Sequence, residues 1–576
     1  MRKDTLQYIK SLVLGLITLG LVGCESFLEE DPRGYITKDD IPTTYQGAIM
    51  LASAPYENWV SGGNLYGRWF MMWETGTDDQ SAQTFLSPPM DTYLLHNANP
   101  DEQFYYSGIW APLWKGVADC NNALDVIQQM PSIDDKDNVI DWDEDDQTIS
   151  DDTKDVIFNS RITKSQQEAV IAEVKVLRAL YYYHLVRMFG DLPLVTVPMN
   201  KLSNLGSIER SDVMDIYNEV IIRDLEEAIP HLYHFHSSSF KGRFTKASAY
   251  VLLADVYLTL AGKRYSSQGV PLSGDSKYYP LAMSMADSAI NNQGGFELCT
   301  TPSAEYPNPY GQPWRQSFSK ESLIEFGNLS GFGIGGQGEG LMVVQEAMMG
   351  GGSQFWGVNV KQFHGSASGY YLPTPDLFRA FEEGDLRKEF GMLVKSADAE
   401  GDTCYSIPLY HKLLDPVIYR GETGFQRADG NINIVLYRIA DAKLIYAEAS
   451  NEVNGPTARA IDEINQLRNR AGLEDLPASM TKDEFRERIW QERRVELHGE
   501  GKRKFDLVRT DRLKILSDSR DLYYSSSDNP EWKSNSGKDN ILVNYICLPY
   551  PQHEAIWPIP RPEMALHPNW KQNYGY

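Results

Sequence analysis

The sequence predicts a mainly α fold of stacked, tetratricopeptide-like helical hairpins that carries a large irregular insertion with short strands. Three observations predict it. Apolar residues recur at three- and four-residue steps through several long windows, which is the period of a helix with one face in a core. Small residues such as Ala247, Ala249 and Ala254 stand inside those windows, where they let helices approach closely. Between the helical windows, residues 294–373 turn to Gly, Pro, Ser and aromatic side chains. The strict tryptophan pattern of a tetratricopeptide consensus is absent, so the repeat is read from periodicity alone. With 576 residues, 42% hydrophobic and 23% charged, the chain has ample material for a core.

The N-terminus reads as a targeting segment. Arg2, Lys3 and Lys10 precede an apolar run, Leu12 to Val22, too short to span a bilayer. The run ends Leu21-Val22-Gly23-Cys24, the pattern of a bacterial lipobox, in which the cysteine thiol takes a diacylglycerol and becomes the first mature residue. Residues 1–23 are therefore expected to be a lipoprotein signal peptide, with Cys24 lipidated and anchoring the protein to membrane lipid. Residues 24–576 are expected to be one body. Its helical scaffold covers about 41–293 and 374–512, the irregular insertion about 294–373, and a C-terminal irregular segment 513–576.

Along that body, Glu25 to Asp40 is a polar tether and Thr43 to Trp59 a first helix. Residues 61–99, with Gly62-Gly63, Pro88-Pro89 and many aromatics, form a long structured loop region. Phe104 to Met130 returns to helix, with Trp110, Trp114, Val117, Asn121, Leu124 and Ile127 on one stripe. Gln166 to Phe189 is a long helix stopped by Gly190 and Pro193. Ser211 caps a helix to Ile229, and Thr245 to Ala261 and Pro280 to Asn292 follow. Leu323 to Phe326 is a strand within the insertion. Ile434 to Asn451 and Pro456 to Ala471 are expected to pair as a hairpin closed by Gly472. Thr481 to Glu500 opens with a capping box, Thr481 and Glu484, and carries an i,i+4 pair, Glu484 and Arg488.

Several functions are excluded or weakened at this level. A formal charge of -25 repels phosphate backbones, so nucleic acid is not expected as a partner. Cys120, Cys299, Cys404 and Cys547 make no C-x-x-C pair, which leaves either a disulfide in one of three pairings or isolated buried thiols. Asp141, Asp143 and Asp145 alternate like a calcium loop, but Asp146 and Asp152 stand where such a loop needs glycine and glutamate. The acidic stretch 134–155 is thus expected to be a solvated loop, with no cofactor and calcium as its only alternative. Gly331, Gly333 and Gly336 lack the strand-turn-helix setting of a dinucleotide site.

A resemblance now becomes specific. Cys24 to Pro32 reads Cys-Glu-Ser-Phe-Leu-Glu-Glu-Asp-Pro. Trp110 to Leu124 ends Cys120-Asn121-Asn122-Ala123-Leu124, and Glu173 to Tyr182 leads to Phe189-Gly190-Asp191-Leu192-Pro193. Further on stand Tyr437-Arg438, Asp441, Lys443 to Ala449, Ile464 to Leu473, Glu492 to Leu497 and Gly501 to Arg509. The chain ends Pro558-Ile559-Pro560, Glu563, Asn569 and Gln572 to Tyr576. Together these resemble the SusD/RagB family of outer-membrane nutrient-binding lipoproteins, with His567 and Tyr574 as minor departures. The resemblance implies a SusD-like fold at the cell exterior, an oligosaccharide ligand, a SusC-like TonB-dependent transporter as partner, and no catalysis. Peptide cargo, as in RagB-like members, and a glycan-degrading enzyme are the alternatives, although H-E-x-x-H and G-x-S-x-G are both absent.

Binding residues are read from chemistry, because rings stack on the apolar faces of sugars while polar side chains reach the hydroxyl rim. Two loop regions combine these types: Tyr66, Trp69, Trp73, Asp78 and Asp79, and Tyr310, Trp314, Arg315, Gln354, Trp356 and Tyr370. A few of them are expected to converge on one exposed platform. Glu492, Arg493, Arg494, Glu496, Arg503 and Asp506 are expected instead to form a buried polar network that holds the helices.

Overall fold

Thr163 and Gln166 start the longest helix by exchanging side-chain and backbone hydrogen bonds, and Gly190, at φ 71°, ends it. This helix, α3 (Lys164–Phe189), is buried on nearly every side, with Tyr181, Tyr182 and Tyr183 wholly enclosed. A computed structural model describes residues 43–60, 74, 76–81, 99–101, 106–135, 161–236, 240–327, 372–397, 403–412, 433–521, 523–525, 528, 540–542 and 555–576. Within it, Thr44–Tyr576 clusters as one compact unit. The fold is mainly α.

The helices stack in sequence. α1 (Tyr45–Val60) packs on α2 (Ala111–Gln129), α2 on α3, and α3 on the short helices α4 (Val213–Ile216) and α5 (Arg223–Ala228), which a π-helical stretch joins. α6 (Lys246–Ala261) pairs with α7 (Tyr278–Ile290). α7 then packs on α8 (Ile439–Asn454), so the stack continues across everything between them in sequence. α9 (Ala458–Arg470) and α10 (Lys482–Leu497) pack on α8. The close approach of α2 and α3 depends on Gly116: a Cβ there would lie 2.2 Å from the Tyr181 ring.

Several expected starts and stops are present. Thr245 caps α6, Thr481 and Glu484 form the capping box of α10, and Gly472 takes φ 79° behind α9. Others differ for local reasons. Asp212, not Ser211, caps α4, because Ser211 is paired with Leu192 in an antiparallel bridge. Thr457, rather than the preceding Pro456, opens α9. Ile434–Arg438 is a strand rather than the start of a helix; its β-branched and aromatic side chains pair antiparallel with Ser322–Phe326. Glu484 and Arg488 do not pair: Glu484 is held by Thr481, and Arg488 reaches Glu382 at 3.1 Å. Cys120 and Cys299 are buried free thiols. The acidic stretch from residue 136 onward and the glycines at 331, 333 and 336 lie outside the described residues. Among the described residues no helix is long and apolar enough to cross a membrane.

Candidate functional site

The charged constellation near the end of α10 is a structural network. Glu496 is fully enclosed and receives Arg387 at 3.1 Å, Arg438 at 2.5 Å, and Arg470. Arg438 and Arg470 also share Glu321, each at 2.9 Å. Glu492 takes Arg387 and Arg468, and Arg493 takes Asp506 at 2.7 Å. Burial raises the Glu496 carboxyl, but Arg470, Arg438 and Arg387 more than offset it and hold the group well below the usual range. A carboxyl held ionised by three buried guanidiniums is a poor proton donor or acceptor, so this is a clamp between the strand pair and three helices.

The first predicted loop region runs into the same network. Asp78 and Asp79 are buried rather than displayed. Arg503 grips Asp78 through two hydrogen bonds of 2.9 and 2.7 Å, and Arg494 reaches Asp79 at 2.6 Å. Burial pushes Asp78 up, yet Arg503 and Arg494 bring it down to about 2. Next to them, Glu74 accepts the backbone N–H groups of Gly499, Gly501 and Lys502, and burial raises its carboxyl to about 8. These acids fasten a loop to the helical frame and are not a sugar rim. Tyr66, Trp69 and Trp73 lie outside the described residues.

The second region is corrected in the same way. Tyr310 is fully buried and Trp314 is 5% exposed. The Tyr310 hydroxyl donates to the Glu496 carbonyl at 2.8 Å. The guanidiniums of Arg470 and Arg438 sit 5.1 and 5.0 Å from the Tyr310 and Trp314 ring centres, and Lys412 lies 4.8 Å from Trp314. The two rings give their faces to buried cations instead of to a ligand. Arg315 donates to the carbonyls of Lys412 and His411, tying its loop to a strand end. Gln354, Trp356 and Tyr370 lie outside the described residues.

A cleft of about 620 Å³ opens elsewhere, where the loop before α6, the turn after α7 and residues 316–325 converge. Phe235, Phe296 and Phe318 line it with half-buried rings, Gln293, Gln316, Lys241 and Lys320 stand at its exposed edge, and Glu325 lies at its base. Phe318 adopts φ 52°, and its ring slots between two glycines: a Cβ on Gly242 or Gly327 would come within 2.5 or 2.8 Å of it. Glu325 Oε1 accepts the Phe318 N–H at 2.7 Å and the Asn433 amide at 2.6 Å. Its Oε2 is buried without a hydrogen-bond partner among the described residues, and burial raises the carboxyl to about 7. Aromatic faces beside polar groups with spare capacity describe a site for a ligand that is apolar on its face and polar at its edge.

None of these cleft residues was singled out from sequence. Two signals pointed to them: an acidic residue inside a fully buried strand, Ser322–Phe326, and an aromatic directly after the turn Gly294-Gly295. Among the described residues no cluster of side chains could hold a metal ion.

Comparison with known proteins gives consistent matches. A sequence model described as "SusD family" matches residues 360–576, and one described as "Starch-binding associating with outer membrane" matches residues 64–258. SusD-like protein P25 of Formosa agariphila is 25% identical, with 94% of this chain and 95% of that protein covered. A SusD superfamily protein from Parabacteroides distasonis has a similar fold, with TM-score 0.68 and 24% identity over 92% of this chain and 99% of that one. A structure named as a laminarin-binding SusD-like protein has TM-score 0.64 and 25% identity, again over 92% and 99%.

Proposed function

Because the chain belongs to the SusD/RagB family, we propose that it is a cell-surface glycan-binding lipoprotein that captures oligosaccharide and delivers it to a SusC-like TonB-dependent transporter. Cys24 carries the lipid anchor in the outer membrane and the helical body faces the exterior. The observation that carries the reading is the cleft, where half-buried phenylalanine rings stand beside amide, ammonium and carboxyl groups. The likeness to a laminarin-binding protein over most of both chains supports a glycan as the occupant. Tyr66, Trp69, Trp73, Gln354, Trp356 and Tyr370, which lie outside the described residues, are proposed as further ligand-binding residues on the strength of their chemistry. The protein binds without catalysing; the commitment of Glu492, Glu496 and Asp506 to arginines supports this.

Peptide cargo is the second reading. One observation favours it: the cleft's rings are phenylalanines, which present faces but no hydrogen-bonding edge. A glycan array probed with the chain lacking residues 1–24 tests the proposal. Binding to a glycan class, with no new reducing ends released from it, is the expected result. Binding to peptides alone, or hydrolysis of a bound glycan, overturns it.

A further inference from the structure

Phe318 stands in a backbone conformation that its side chain disfavours. Among the described residues two that are not glycine have positive φ, Phe318 at 52° and Asp511 at 60°. Aspartate tolerates this region because its short polar side chain bonds locally, whereas a bulky aromatic gains no such relief. Phe318 lies in the turn before the strand Ser322–Phe326, where glycine or asparagine would fit with less strain. The ring is not needed to fill the core either, since it is half-buried and lines the cleft. A side chain that strains its backbone in order to be displayed is a mark of function, because such strain persists only where the surroundings enforce it.

The surroundings that enforce it come from three elements. Glu325 Oε1 accepts the Phe318 N–H at 2.7 Å, and the Asn433 amide fixes that same oxygen at 2.6 Å. The pairing of Ser322–Phe326 with Ile434–Arg438 is irregular on both sides of Ile324, and such bulges re-aim side chains. Phe326 stacks on Trp59 in the core at 5.0 Å and 14°, so Glu325, the residue before it, is aimed the other way, toward the cleft. The far edge of the Phe318 ring, at Cε1 and Cζ, rests between the backbones of Gly242 and Gly327. Gly242 belongs to a turn in which the Arg243 N–H donates to the Phe240 carbonyl at 3.3 Å. The Arg243 guanidinium donates to Glu173 of α3 at 3.0 and 2.9 Å, which ties the slot to the helical frame.

We infer that Glu325 is a positioning residue: by bonding the Phe318 N–H it holds the Phe318 ring as a fixed wall of the cleft, against which the apolar face of a sugar ring lies. This rests on the reading of the cleft as a glycan site and deepens it. Glu325 is 3% exposed, so it acts through Phe318 and does not touch the ligand. A ring already fixed in its binding position loses no freedom when the ligand arrives, and affinity rises accordingly. Released from Glu325, the backbone of Phe318 leaves the left-handed region and carries the ring out of its slot.

The test uses the chain lacking residues 1–24, labelled with 4-fluorophenylalanine and observed by fluorine NMR, with Phe318→Leu identifying the Phe318 resonance. The probes are laminarin, starch and xylan, with affinities from calorimetry. Glu325→Leu removes the acceptor and is expected to displace the Phe318 resonance and to weaken binding at least tenfold. Glu325→Gln puts an acceptor oxygen back, and is expected to return the resonance toward its wild-type position and to recover most of the lost affinity. Gly327→Ala adds a Cβ against the ring at an exposed position without altering Glu325, so it reports even where Glu325→Leu loses stability. It is expected to move the same resonance and to weaken binding at least threefold. Strain has its own readout. Glycine suits φ 52° and alanine does not, so Phe318→Gly is expected to melt above Phe318→Ala, the reverse of the order at an ordinary position. Phe318→Ala melting above Phe318→Gly, or a loss of affinity in Glu325→Leu that Glu325→Gln does not recover, overturns the inference. If Phe296→Ala weakens binding while Phe318→Leu and Glu325→Leu stay within twofold of wild type, the cleft stands as the site and the positioning role falls. If the wild-type chain binds none of the three probes, both fall.

Discussion

Glu496 and Glu325 are both buried carboxyls, and the chain treats them in opposite ways. Glu496 sits in the helical frame among Arg387, Arg438 and Arg470, and its charge is held firmly on. Glu325 sits at the base of the cleft, where its Oε1 accepts from Phe318 and Asn433, and burial outweighs those hydrogen bonds and raises it to about 7. A frame gains from closing every polar bond, because each unpaired buried charge destabilises it. A binding surface must leave some bonds open for the ligand. Pairing with buried guanidiniums therefore distinguishes the two regions better than residue type, since both contain aromatics and acids.

The largest test of this contrast is Glu496→Gln. It leaves three guanidiniums around a neutral group, and a loss of about 3–5 kcal/mol in unfolding free energy is expected, measured by chemical denaturation. A loss below about 1 kcal/mol would mean that the network is not the frame's clamp. Glu325→Gln has the opposite character. Glutamine keeps the oxygen that accepts from Phe318 and Asn433 and removes the titration. The folded Glu325 carboxyl titrates near 7 and the unfolded one near its ordinary 4.5. Between those values the native state holds a proton that the unfolded state releases. Wild type accordingly loses stability as pH rises from about 5 to 8, by about 1–3 kcal/mol more than the variant does. Parallel wild-type and variant stability curves across that range would remove Glu325 from the contrast.

Glycines extend the comparison. Gly116 makes room for Tyr181 inside the frame, and Gly327 makes room for Phe318 beside the cleft. Gly116→Ala forces a Cβ into the Tyr181 ring, between two packed helices that cannot yield, and about 1–3 kcal/mol of stability is expected to go. Thermal melting reads this as a clear fall in Tm.

How much of this was legible in the sequence follows the same division. Caps and periodic faces were legible, because they depend on residues a few positions apart: Thr245, Thr481 with Glu484, and the buried part of the stripe, Val117, Asn121, Leu124 and Ile127, all stand where local pattern puts them. Ile434–Arg438 was misread as helix because its pairing partner, Ser322–Phe326, is far away in sequence. Tyr310 and Trp314 look like a sugar platform in one dimension. The missing fact was that Arg438 and Arg470, from distant elements, need ring faces in the core. Asp78 and Asp79 misled in the same way, since the arginines that bury them are hundreds of positions on. Long-range charge pairing is what local pattern does not encode.

The smallest expected stability effect carries the most functional weight. Phe296 follows a two-glycine turn, is half-buried, and contributes one face to the cleft without entering the frame. Phe296→Ala removes stacking area from the ligand but little packing from the protein. Unfolding free energy should change by less than about 0.5 kcal/mol. Loss of one aromatic face should weaken binding by about 1–2 kcal/mol, roughly five- to thirtyfold in Kd. Calorimetry and denaturation on the same preparation decide it. Equal losses in both would place Phe296 in the frame, and the cleft would then be a packing gap rather than a site. A loss in binding alone would show that the cleft is where the ligand sits.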